Sequence, residues 1–221
     1  MNGALGQVVA LGIAAGLSPV PIIGIVMMLS STRARTNSLA FLGAWVASIL
    51  VLGYVAIFVV GASGAGDSQS SGRDGLRIVF GAVLLLLAAR QWRSRPKDGE
   101  PAKTPSWLDA VDEISAARSA ALALALAVIN PKNLILVLSA STAIAAADAS
   151  SGAELGALVL FTVIASIGVG VPVALYFALG ERSAPALARL KQWMTANNAT
   201  IMTVILAIIG LALLTQGVGS Y

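Results

Sequence analysis

The sequence predicts an all-α integral membrane protein whose six transmembrane helices form a 3+3 inverted repeat, with helices 1 and 4 broken at prolines. Three observations carry this prediction. The 221 residues are 57% hydrophobic and only 11% charged, where a soluble domain carries about 25% charged residues. The apolar residues gather into runs long enough to cross the hydrocarbon core, which takes roughly 20 residues of helix. Two of those runs, 112 positions apart, hold a proline-broken stretch: Gly16-Leu17-Ser18-Pro19-Val20-Pro21 and Ile129-Asn130-Pro131-Lys132-Asn133. A proline inside a membrane helix removes a backbone donor and clashes one turn back. Lipid tolerates such a break only where it is buried in protein or lines a wet cavity.

The first span is expected over 4–30. It has no basic residues ahead of it and exceeds a signal-peptide core of roughly 7–15 residues, so it reads as a retained span rather than a cleaved signal. The second is expected over 38–62 and the third over 74–92. The polar segment 93–115, rich in Pro, Lys, Asp and Glu, separates a first three-helix repeat (1–92) from a second (116–221). The fourth span, 116–147, is too long for one straight crossing, which suits a break at Asn130-Pro131. The fifth, 153–180, opens near Gly152-xxx-Gly156 and carries Gly168, Gly170 and Pro172, a hinge or a packing kink. The sixth is 197–218. Gly12-xxx-Gly16 and Gly152-xxx-Gly156 have the spacing that lets helix backbones approach closely. Trp92, Trp107 and Trp193, and less clearly Trp45, suit interfacial anchors.

The halves resemble one another. Ser18-Pro19 aligns with Asn130-Pro131, and each is followed by an aliphatic run and serines (Ser30, Ser31; Ser139, Ser141). Gly43 corresponds to Gly156, and Gly81-Ala82-Val83-Leu84-Leu85 to Gly210-Leu211-Ala212-Leu213-Leu214. An odd number of spans per half forces the second half to run inverted, a recurring transporter plan. Eleven of the fourteen Lys and Arg fall on the side of the 93–115 segment, two (Arg73, Arg77) on the other, and Lys132 within a span. The positive-inside rule then makes that segment cytoplasmic and both termini extracytoplasmic.

At each break a half-helix amino end offers free N–H groups and a partial positive charge. Ser18, Asn130 and Asn133 can cap those ends. Lys132 is the ionisable side chain deep within a span, where a lysine costs about 2.5–3.5 kcal/mol on insertion scales. A wet cavity there suits an anionic or carboxylate-bearing group; a proline kink serving only packing, or a snorkelling lysine, is the plain alternative. Asp148, Glu154 and Glu181 sit at span ends, and Cys and His are absent. Metal carriage and metal or thiol chemistry are therefore disfavoured, no cofactor is implied, and no clustered acid–base or nucleophilic groups point to an enzyme.

Leu17-Ser18-Pro19-Val20-Pro21, with Met27-Met28-Leu29-Ser30 and Arg33-Ala34-Arg35 behind it, together with Asn130-Pro131-Lys132, resembles the lysine-exporter superfamily across both halves. The Ser-Pro-x-Pro form, the polar linker and the outward termini are most similar to its peptidoglycolipid-addressing (GAP) or sulfolipid-addressing (Sap) branch. That resemblance implies export or flipping of a lipid-linked or glycolipid envelope precursor across a bacterial cytoplasmic membrane. The amino-acid-exporting branch has Pro-Gly-Pro where this chain has Pro19-Val20-Pro21.

The expected substrate-binding residues are Ser18, Pro19, Pro21, Asn130, Pro131, Lys132, Asn133 and Ser139. A small-solute exporter of the amino-acid type and a membrane scaffold are the rival readings. Membrane lipid or a glycolipid is the expected partner, with a homodimer and an envelope-lipid export machinery kept as options. Nothing points to nucleic acid.

Overall fold

A computed structural model of the chain describes residues 2–62, 69–95, 114–147 and 149–218. Among them there are helices and short connections but no strand. Eight α-helices follow in order: α1 (Asn2–Gly16), α2 (Pro19–Ser30), α3 (Ala34–Ala62), α4 (Gln69–Arg93), α5 (Ala116–Leu124), α6 (Pro131–Ala145), α7 (Ser151–Leu179) and α8 (Ala184–Val218). A π-helical turn, Ala125–Ile129, joins α5 to the α6 break, and a 3-10 turn, Gly180–Ser183, joins α7 to α8.

Both sequence breaks are real, and both use proline in the same way. The residue before a proline is pushed out of the helical region. Ser18 (φ −77°, ψ 112°) and Asn130 (φ −66°, ψ 114°) are accordingly extended. Pro19 and Pro131 then open the next helix, where a missing N–H leaves no intrahelical bond unmade. The axes bend by 51° between α1 and α2 and by 64° between the α5 segment and α6.

Among the described residues, three stretches are long and apolar enough to cross a membrane: Ala34–Val60, Gly75–Arg93 and Ser151–Val218. The two bent pairs pass the same test jointly, giving up to five if each is one span. The last stretch contains both α7 and α8. Gly180 divides them at φ +57°, a left-handed conformation that glycine adopts without a Cβ penalty.

α8 starts earlier than the expected sixth span, because its 35 residues begin at Ala184. The added turns have a packing reason. Leu187 and Met194 lie buried against Ile22, Ile23, Val26 and Leu29 of α2. Most of the 93–115 segment lies outside the described residues, although α4 runs on to Arg93.

α3 lies against α5 and α6, α7 lies against α1 and α2, and α4 packs chiefly on α8. The main core joins Val8, Leu11, Ile25, Met28, Phe41, Trp45, Leu84, Leu136, Phe161 and Leu213. Trp45 is 1% exposed, so it is a core residue and not an interfacial anchor. Its position on the α3 face turned to the other helices overrides the interfacial preference of its ring. Leu86 and Ile129, at 72% exposed, and Phe58, at 68%, lie on the outer faces, as lipid-facing residues do.

Small residues set the closest approaches, but not everywhere the sequence suggests. A Cβ on Gly16 would lie 2.7 Å from the Ile164 carbonyl oxygen, and one on Gly168 would run into the Gly16 carbonyl. Gly168 therefore marks a backbone-to-backbone contact of α7 with α1. Gly81 and Gly210 meet reciprocally across α4 and α8, each within 3.0 Å of the other's carbonyl oxygen once a Cβ is added. Among the described residues nothing lies within 4 Å of a Cβ added at Gly152 or Gly156, so no close helix approach is seen at that pair.

Overpacking of this kind costs typically 1–3 kcal/mol. Gly168→Ala should lower the thermal midpoint of the detergent-solubilised protein clearly. Gly170→Ala, which meets nothing within 4 Å, should leave it unchanged or raise it. Equal midpoints for the two variants would refute the close α1–α7 contact.

Candidate functional site

Breaking a helix frees carbonyls, and the site is built from what those carbonyls bind. At the first break the Ser18 N–H donates to the Ala15 carbonyl at 3.3 Å, three residues back, in place of the usual partner four back. Ala14 thereby loses its helical donor. The Lys132 ammonium takes that place, with Nζ 2.8 Å from the Ala14 oxygen. Lys132 is 2% exposed.

The second break repeats the logic. The Asn130 N–H donates to the Ala125 carbonyl at 3.3 Å, five residues back, which is the π-turn. Leu126 is left without its donor, and Asn133 Nδ2 supplies one at 2.9 Å. Asn130 caps α6 by accepting from the Lys132 N–H at 3.1 Å. Ser18 sits at the equivalent position of α2, yet its side chain makes no capping bond.

The sequence reading set Lys132 beside two half-helix amino ends, with Asn133 as a cap. The structure corrects both points. The ammonium rests on the carboxyl end of α1, and Asn133 serves the α5-side carbonyl. Each correction has one cause: proline leaves orphan acceptors upstream as well as orphan donors downstream.

The breaks differ in surroundings. Pro19 and Pro21 are buried along with most of α2, while Pro131 is exposed and Asn130 partly so. Ser139 is buried on α6, two turns beyond Lys132. Several buried polar atoms have no hydrogen-bond partner: Ser18 Oγ, Asn133 Oδ1 and Ser139 Oγ, and also Ser141 Oγ, Ser166 Oγ and Trp45 Nε1. Buried polar groups are normally paired, so atoms without a partner among the described residues, beside both breaks and along α6, mark a polar stretch of the interior. The expected residues Ser18, Pro19, Asn130, Lys132 and Asn133 thus cluster at the two breaks, with Ser139 farther along α6.

Beside the second break lies a cavity of about 270 Å³. Asn130, Pro131 and Lys132 border it, together with Arg90 and Gln91 of α4 and Asn198 of α8. Val20, Leu87, Met202 and Leu206 form its apolar side. A second cavity, about 320 Å³, lies between α3 and α7 and is lined by Tyr54, Phe58, Glu154 and Leu158 among others. Among the described residues no group of three Asp, Glu, His or Cys could hold a metal ion.

Sequence reasoning did not find Ala14, Arg90, Gln91 or Asn198. Ala14 acts through its backbone and leaves no side-chain signal. Arg90 was counted only as an interfacial charge. Asn198 lies at the start of the expected sixth span and was legible as a polar group there.

A family model described as Sap, sulfolipid-1-addressing protein, matches residues 8–219. No curated protein and no solved structure matches the chain.

An N-cap amide replaced by alanine costs about 1 kcal/mol. Asn130→Ala should therefore lower the unfolding midpoint by an amount that Asn130→Ser largely restores, read by thermal unfolding of the detergent-solubilised protein. Indistinguishable Ala and Ser variants would remove the capping role.

Proposed function

The chain belongs to the sulfolipid-1-addressing protein family, and from that premise we propose that it exports or flips a lipid-linked or glycolipid envelope precursor, anionic at its polar end. The membrane it serves is the bacterial cytoplasmic membrane, and no covalent chemistry is done on the cargo. The observation that carries the reading is the junction of the two breaks, where Lys132 of α6 bonds the Ala14 carbonyl of α1 at 2.8 Å beside a cavity.

In this reading the chain crosses six times, with α1–α2 and α5–α6 each one broken span and α7 and α8 counted separately. The two halves are inverted repeats, 1–92 and 116–221. Their packing supports this. α3 meets α5 and α6 as α7 meets α1 and α2, which is what exchanging the halves requires. Gly81 and Gly210, equivalent in the repeat, touch one another, as equivalent residues do on a two-fold axis. Charge bias sets the 93–115 linker in the cytoplasm and both termini outside.

Alternating access follows from one repeat rocking against the other about a central site. Ser18, Pro19, Pro21, Asn130, Pro131, Lys132, Asn133 and Ser139 form that site. Prolines keep backbone groups out of the helical ladder, Asn130 and Asn133 hold the second break open, and Lys132 ties it to the first. Ser18, Asn133 and Ser139 keep the interior around the breaks polar. A polar wall facing an apolar one suits an amphiphile better than a fully hydrophilic solute. Membrane lipid is then the immediate partner, and a homodimer or an export machinery would act around this unit.

In proteoliposomes, transbilayer movement of a fluorescent anionic glycolipid should exceed that in protein-free vesicles. Lys132→Met should cut that rate by about tenfold or more, since an interaction lost with a buried charged group is worth roughly 1.5–3 kcal/mol. The variant must elute as a monodisperse peak for the comparison to count. Full activity of Lys132→Met would sink the site assignment, and export of amino acids without lipid movement would favour the small-solute alternative.

A further inference from the structure

We propose that the cavity between α4 and α8 binds the oxyanion head group of an amphiphile, a phosphate or sulfate ester, with Arg90 as its charge contact and Lys132 as a positioning residue. The inference rests on the transport reading for its cargo, but its residues are argued separately.

Among the described residues, Lys132 and Arg90 are the two basic side chains bordering this cavity, and they are engaged differently. Lys132 is 2% exposed and gives a donor to the Ala14 carbonyl at 2.8 Å. Turning that ammonium toward a guest would return the Ala14 carbonyl to its orphaned state, at a cost of about 1–3 kcal/mol for a buried acceptor. Arg90 lies exposed at the end of α4. Among the described residues no carboxylate lines the cavity.

Arginine presents a planar fork of donors that matches phosphate and sulfate oxygens in pairs. Gln91 and Asn198 border the same space with amide groups. Asn198 Oδ1 is a buried acceptor without a partner among the described residues. Val20, Leu87, Met202 and Leu206 continue the wall with apolar surface, where an acyl chain sheds water contact. A free anion would leave that surface unused. The lining therefore favours an oxyanion that is joined to a hydrocarbon chain.

The test is equilibrium binding of fluorescent phosphatidic acid to the full chain in a neutral detergent, with fluorescent diacylglycerol as the uncharged control. Wild type should prefer the phosphatidic acid probe. Arg90→Gln should weaken it roughly ten- to a hundredfold, the range expected for a hydrogen-bonded charge. Arg90→Lys should recover part of the loss. Arg93→Gln, on the same helix end but outside the cavity lining, should stay within about twofold.

The proposal is overturned if wild type does not distinguish the two probes, or if Arg93→Gln and Arg90→Gln weaken binding equally, which would mean general surface attraction. Complete displacement by low millimolar inorganic phosphate would also overturn it, because the site would then serve a free anion. A matching thermal midpoint confirms that Arg90→Gln is folded. Transbilayer movement of the same probe in proteoliposomes separates the two claims. Arg90-dependent binding without movement leaves this site standing and defeats the transport reading, whereas movement that survives Arg90→Gln does the reverse.

Discussion

The rest of this structure depends on the need to satisfy carbonyl oxygens that proline has stranded inside an apolar interior. An unmatched backbone group in hydrocarbon costs several kcal/mol. Pro19 and Pro131 each create such groups, and a single string, Asn130-Pro131-Lys132-Asn133, answers both breaks. Lys132 reaches across to Ala14 on α1. Asn133 turns back to Leu126 on its own span. The first turn of α6 is therefore fixed from two directions at once, and the bend angles and the neighbouring cavity follow from it.

That arrangement requires α1 to be held where Lys132 can reach it. Gly16 and Gly168 allow α1 and α7 to touch backbone to backbone, a contact membrane helices use because lipid supplies no hydrophobic drive between them. On the far side, α2 is buried between α7 and the early turns of α8. Bulk at either contact would move Ala14 away from the ammonium. The small-residue contacts and the buried lysine are thus parts of one solution.

Much of the fold was legible in the sequence because its signals are local and strong. Proline cannot continue a helix, so the breaks at Pro19 and Pro131 were visible without any partner in view. Apolar run lengths located α3, α4 and α7 closely. The start of α8 was missed, since hydropathy marks the part that lies in lipid and is blind to turns that pack on another helix. Gly152 and Gly156 had the right spacing and no close neighbour among the described residues, because spacing reports what a face permits and not what meets it. Lys132, singled out in the sequence as an ionisable residue within a span, is buried. Its partner was not legible: a backbone carbonyl 118 positions away carries no residue-type signature. Arg90 was likewise indistinguishable from the other basic residues at the span ends until α8 stood beside it.

The two breaks now occupy unlike surroundings. Nine of the twelve residues of α2 are buried, whereas Ile129 is 72% exposed and Pro131 is exposed as well. If both descend from one ancestral segment, their freedom to drift is unequal. A change at Pro19 or Pro21 must be accommodated by several packed helices together, while a change at Asn130 or Pro131 meets the cavity, although Lys132 and Asn133 next to them are buried. Variation would then fall first on those two more exposed positions, with Pro19 and Pro21 held in place by their packing.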